Sequence, residues 1–302
     1  MDNTTSKPTF SPYQCCTPLK QSALADSFDG ILSDHRIANS IDDWAQAVLH
    51  HKQRSQLDGF RTVTLEHLKS RSRPRHEFIQ VKIQYKHSHR FIRVDRSFQR
   101  NSTHVRDQYR DLLRGGSLPA DDTIIITSTP HYHDSFPLYA MSFDPKHAPT
   151  ILDLAIVLLA VTSSAPVYNL ESMCYWYARM VFDGVADAFG GRVIPKERPD
   201  LRGTFSGSIR LVERNGTFTL NGIGYLPRLR RFLPLPTRQA LLDEISRIRG
   251  EFESEWELEE RKEIIEELPV QEVRQYVIAK CPKLTYISFN SAFRAFPHSP
   301  SR

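Results

Sequence analysis

The chain has 302 residues, 40% hydrophobic and 25% charged, with a formal net charge of +5 and a mean hydropathy of −0.43. That supplies the core of one large or two small domains and fits a soluble protein. An excess of 40 Lys and Arg over 35 Asp and Glu is too slight to mark a nucleic-acid binder by itself.

The four cysteines are Cys15, Cys16, Cys174 and Cys281, and none form a Cys-x-x-Cys pair. A zinc ribbon and a disulfide framework are both disfavoured, which fits a reducing compartment. The first residues contain no apolar run of signal-peptide type. The longest apolar stretch, 151–161, includes Asp153 and is too short to cross a bilayer. A cytoplasmic or nuclear location without a membrane span is expected, and the sequons at Asn101 and Asn215 are expected to be unused.

Residues 1–30 are rich in Ser, Thr and Pro and are expected to be a disordered N-terminal segment. An α+β core domain is expected over 31–230. It opens with a helix near 42–49, with Asp42 and Asp43 in its first turn, and a second short helix over 64–69. Residues 76–85 alternate strictly, with Ile79, Val81, Ile83 and Tyr85 on one face and His76, Phe78 and Gln80 on the other, more polar face. Residues 86–89 read as a hairpin loop, and 91–96 as the returning strand. Matching the apolar faces pairs Ile83 with Ile92 and Val81 with Val94. Further strands are expected at 123–127 and 138–143.

Residues 151–160 are apolar nearly all round and predict a buried helix capped near Thr150. A second apolar helix carries Cys174 and stops at Gly190-Gly191. A weak hairpin over 203–226 contains the Asn215-Gly216 turn signal. A long helix follows over 237–268, with Leu241, Ile245, Ile248 and Phe252 in one stripe, a possible kink at Gly250 and an acidic second half; residues 290–302 read as a flexible tail. The order is an antiparallel sheet packed on buried helices, with a long C-terminal helix.

Cys174 is the first candidate for chemistry. With Ser172 as the helix cap, the thiol lies in the first turn, where the helix dipole favours thiolate; with Asn169 as the cap, it lies one turn further in. A thiolate mechanism needs a base, and His76 stands out at the start of the best strand. A third group must orient that base. In the matched register Asp95 lies some residues along from His76, so Asp95, Ser97 and Gln99 are all candidates, with Asp95 preferred. A buried, inert cysteine beside Trp176 and Tyr177 is the plain alternative.

His131, His133 and Asp134 offer a metal-like cluster but lack any His-Glu-x-x-His spacing, and a polar loop is the favoured reading. No metal or cofactor is expected. The basic runs at 71–75 and 228–231 read as solvated surface, so nucleic acid is not expected as a partner. The acidic helix either stands in water or meets a protein partner.

Three runs resemble an uncharacterised family of proteins from mushroom-forming fungi: His76-Glu77-Phe78, Arg93-Val94-Asp95-Arg96, and Tyr168 followed by Cys174-Tyr175-Trp176-Tyr177-Ala178. The resemblance spans roughly residues 75–190. Its order, histidine on a strand and then cysteine on a helix, is similar to the circularly permuted papain-like enzymes of the lecithin retinol acyltransferase group. That likeness implies a permuted papain-like fold and acyl-cysteine chemistry, hydrolase or acyltransferase, with Cys174 as nucleophile, His76 as base and Asp95 as orienter. Met173, where that group commonly carries Asn, is a departure from its pattern. A non-catalytic interaction factor on the same scaffold is the alternative.

Overall fold

The computed structural model describes residues 31–32, 39–51, 54–72, 75–98, 107–108, 111–112, 116–132, 134–169, 172–205, 209–210 and 236–267. The chain divides into two units, Met1–Ile248 and Arg249–Arg302. The first unit is α+β. Its strands are β1 (Asn39–Ser40), β2 (Arg61–Ser70), β3 (Glu77–Tyr85), β4 (Ser88–Phe98), β5 (Leu118–Thr127), β6 (Ser135–Ser142), β7 (Val167–Tyr168) and β8 (Arg192–Pro195). They form one antiparallel sheet in the order β1-β5-β4-β3-β2-β6-β8, with β7 added to β5.

The β3–β4 hairpin turns on two residues, not four. Tyr85 pairs with Ser88, leaving Lys86 and His87 as the turn. Lys86 adopts φ 52 there, the left-handed conformation that tight hairpins require. The shorter turn slides the register by two residues from the expected one: Val81 pairs with Ile92, and Ile79 with Val94. A slide of two is one full strand period, so the sequence assigns faces correctly and partners incorrectly.

Residues 64–69, expected to be helical, lie in β2, which pairs with β3 on one side and β6 on the other. Leu, Glu and Lys favour helices, but propensity is a weak prior. Here burial on a pleated surface overrides it: Leu65, His67, Leu68 and Lys69 are all fully enclosed. The face of β3 expected to be polar is also covered, since Phe78 and Gln80 are buried.

Helices α1 (Ile41–Leu49), α2 (Arg54–Leu57), α3 (Ile151–Ser164) and α4 (Cys174–Phe189) complete the first unit with the start of α5 (Arg238–Glu267). A reciprocal cap starts α3: Thr150 Oγ1 accepts the Asp153 N–H, and the Asp153 carboxylate accepts the Thr150 N–H. Nine residues of α3 are buried, as an all-apolar helix must be. Helix α3 packs against α1 and α4, and α4 lies on β2, β3 and β4. Gly190, at φ 66, ends α4 and returns its N–H to the Ala186 carbonyl.

Gly250 lies within the bounds of α5. Leu241, Ile245 and Ile248 are buried in the first unit. In the second, Phe252 is buried with its ring 6.5 Å from that of Trp256, while Glu251, Glu253, Glu255 and Glu257 are exposed. Of the hairpin expected over 203–226, the described residues hold a short ladder, β9 (Thr204–Phe205) against β10 (Ile209–Arg210). The Asn215-Gly216 turn, both sequons, Cys15, Cys16, Cys281, Gln99, His133, the 228–231 run, the 1–30 segment and the 290–302 tail lie outside the described residues. Among the described residues, no helix is long and apolar enough to cross a membrane.

Candidate active site

Helix α4 begins at Cys174 itself. Met173 is the cap, extended at φ −70 and ψ −176, and its carbonyl accepts the Tyr177 N–H at 3.1 Å. Neither Ser172 nor Asn169, the two expected caps, occupies the cap position. They close the preceding turn instead. Asn169 Oδ1 accepts the Ser172 N–H at 2.8 Å, and Ser172 Oγ donates to the Val167 carbonyl at 2.6 Å. The thiol therefore sits at the first helical position, among backbone N–H groups that have no acceptor within the helix.

His76 lies immediately before β3, with its backbone locked to the end of β2. Its N–H donates to Ser70 Oγ at 2.9 Å, and its carbonyl accepts the Ser70 N–H at 2.8 Å. Its ring bonds through Nε2 to Asp95 Oδ1, and Cys174 is close enough to act on the ring's charge. With Nε2 engaged by the carboxylate, Nδ1 is the ring nitrogen not bonded to Asp95. Arg93 Nε donates to the other Asp95 oxygen, Oδ2. The Arg93 guanidinium also lies 4.1 Å from the centre of the Phe78 ring, and that ring stacks on His76 at 6.4 Å.

The electrostatics follow from this chain of partners. Burial opposes a charged His76, but the Cys174 sulfur and the Asp95 carboxylate outweigh it and hold the imidazole well above its ordinary value. Burial likewise opposes an ionised Asp95, yet Arg93 and His76 keep its carboxyl well below the usual carboxylate range. Cys174 is 5% exposed and the His76 side chain 26%, so the imidazole forms the more open flank of the site.

The structure thus joins the predicted His76 and Asp95 and sets Cys174 within electrostatic range of the ring. The two-residue slide of the hairpin is what carries Asp95 to His76, with no bulge needed. Ser97, the other described candidate for the third position, turns to Asp121 instead.

Two buried ionic clusters flank the site, and neither was predicted. Arg96 grips both carboxylate oxygens of Asp122 at 2.6 Å and also reaches the carbonyls of Ser172 and Ala165. Lys69 Nζ donates to Glu77 Oε1 at 2.7 Å and to the Leu201 and Thr204 carbonyls. Glu77 also bonds His67 Nε2 at 2.8 Å and accepts the Gly203 N–H. The Lys69 ammonium lies 4.6 Å from the Tyr175 ring centre, so this cluster underlies the first turn of α4. The signal was present: Glu77 shares a face with Ile79 and Val81, and Arg96 with Ile92 and Val94, so a polar residue in an apolar row marked each cluster.

The expected loop character of residues 130–134 accords with the end of β5 at Thr127. His131 Nε2 meets Thr127 Oγ1 at 3.1 Å, and the His131 N–H donates to Gln80 Oε1. Among the described residues, no group of three or more His, Cys, Asp or Glu side chains could hold a metal ion. No known protein family, no curated protein and no solved structure matches this chain.

Proposed function

We propose that this protein is a cysteine-dependent hydrolase or acyltransferase on a permuted papain-like arrangement, and a relative of the fungal family its motifs resemble. The observation that carries the reading is the His76–Asp95 pair with Cys174 acting on the same ring from the start of a buried helix. His76 takes the proton of Cys174 and leaves the nucleophilic thiolate. The thiolate attacks an acyl carbonyl, and the developing oxyanion is met by N–H groups at the start of α4. Collapse forms a thioester as the amine or alcohol leaves with a proton from His76. Water, or an acceptor alcohol or amine, then gives its proton to His76 and attacks the thioester, which releases the acyl product and restores the thiol. Asp95 keeps the ring oriented throughout.

Iodoacetamide labelling at neutral pH, followed by mass spectrometry, tests this. Cys174 is expected to react faster than Cys15, Cys16 and Cys281, and to slow by about 10²-fold in His76→Ala, the lower end of what a positioned base contributes. Equal rates in the two proteins would remove the enzyme and leave a non-catalytic interaction protein.

A further inference from the structure

Asp95 and Arg96 are consecutive residues of β4 and point to opposite faces of the sheet. Asp95 receives the base. Arg96, fully buried, reaches the nucleophile's side. Its Nη1 donates to the Ser172 carbonyl at 3.1 Å, one residue before the cap of α4, and its Nη2 donates to the Ala165 carbonyl at 2.8 Å. Nε and Nη2 hold Asp122 of β5, which compensates the buried charge. The guanidinium also faces two rings of the first helical turn, 4.6 Å from the centre of Tyr177 and 5.4 Å from that of Trp176. Strand β7, between the two gripped carbonyls, is itself paired with β5.

We propose that Arg96 is the positioning residue for the nucleophile, and that the Asp95-Arg96 step of β4 sets sulfur and imidazole at their working separation. This rests on the acyl-cysteine reading above. One strand step fixes the orienter of the base on one face and the turn before the nucleophile on the other, so neither half can drift without moving β4. The role needs arginine. Four hydrogen bonds leave this side chain in three directions from a planar fork, whereas a lysine ammonium has three donors on one nitrogen and cannot make all four. A hydrophobic residue could fill the volume, but it could not hold the Ser172 carbonyl.

The test is Arg96→Lys, with thermal unfolding as the check on folding, His76 ring titration by NMR, and the rate of Cys174 alkylation. With the turn released, the sulfur is expected to move away from His76. Alkylation should slow by about tenfold or more, and the His76 midpoint should fall toward its ordinary value while its bond to Asp95 persists. Should Arg96→Lys fail to fold, Asp122→Asn carries the test: it keeps shape and one acceptor, and the same two changes are expected at smaller size. A folded variant with the wild-type His76 midpoint and wild-type alkylation overturns the positioning role. An ordinary midpoint and slow alkylation already in the wild type would instead overturn the acyl-cysteine reading.

Discussion

Asp95 and His76 share one face of the sheet, at the end where β3 begins and β4 finishes, and the Asp95 carboxylate engages the imidazole Nε2. This contact fixes which ring nitrogen remains for Cys174. Asp95→Asn should therefore do more than remove a charge. The amide can present an N–H to the ring and so favour the wrong tautomer. The His76 midpoint is expected to fall toward its ordinary value, and Cys174 alkylation to slow by at least about tenfold. NMR titration of the ring and the labelling rate read both. A variant with an unchanged midpoint would show that Asp95 does not govern the base.

The same pair sets a window of stability in pH. Asp95 is depressed in the folded state, so its contribution is present above its unfolded value of about 3.9 and is lost as pH falls through the lower folded value. His76 is raised, so its contribution is full below its unfolded value of about 6.5 and is lost as pH rises through the higher folded value. Together they give a plateau between about 4 and 6.5. Urea unfolding across pH should show wild-type stability declining on both sides of that range relative to the Asp95→Asn, His76→Ala double variant. A difference between the two proteins that stays constant with pH would refute the linkage.

Much of this site was legible in the sequence because strand alternation and helix periodicity are local. The face of Ile79, Val81 and Ile83, the helix around Cys174 and the candidacy of His76 all follow from spacing. What failed is what depends on distant partners. The β3–β4 register hung on whether Lys86 would accept a left-handed conformation, which decides between a two- and a four-residue turn. Strand β2 reads as helix because its Leu, Glu and Lys favour one, and only β3 and β6 on its two sides make it a strand. Alternation marks Arg96 and Glu77 as inward-facing, but which residue meets each of them, Asp122 and Lys69, is a contact no local pattern encodes.

Lys69 and Glu77 are fully enclosed, and each compensates the other. Burial pushes the Glu77 carboxyl up, but Lys69 and His67 outweigh it and hold it below its usual range. Lys69→Met removes the main partner and strands a buried carboxylate. A loss of about 3–5 kcal/mol is expected, with Glu77 taking up a proton as its value rises. Lys69→Met combined with Glu77→Leu removes both charges and should recover most of that loss. Denaturant unfolding of the two variants decides it, and a double variant no more stable than the single would mean that the bonds to Leu201, Gly203 and Thr204 carry the effect.

Gly190 and Gly191, adjacent at the end of α4, should respond to alanine for different reasons. At Gly190 a Cβ would meet no atom within 4 Å, but the residue sits at φ 66. Gly190→Ala should cost about 1 kcal/mol from the left-handed backbone alone, and Gly190→Asn less, since Asn tolerates that conformation. At Gly191 the backbone is unstrained, but a Cβ would run into the Met141 side chain and come within 2.7 Å of Phe143 Cε1. Met141 is fully buried in β6, so it has little room to yield. Gly191→Ala should cost about 1–3 kcal/mol by overpacking. Pairing it with Met141→Ala, which opens the space, should make the second substitution cheaper in that background. Strict additivity of the two in a double-mutant cycle would show that the steric contact is not the cause.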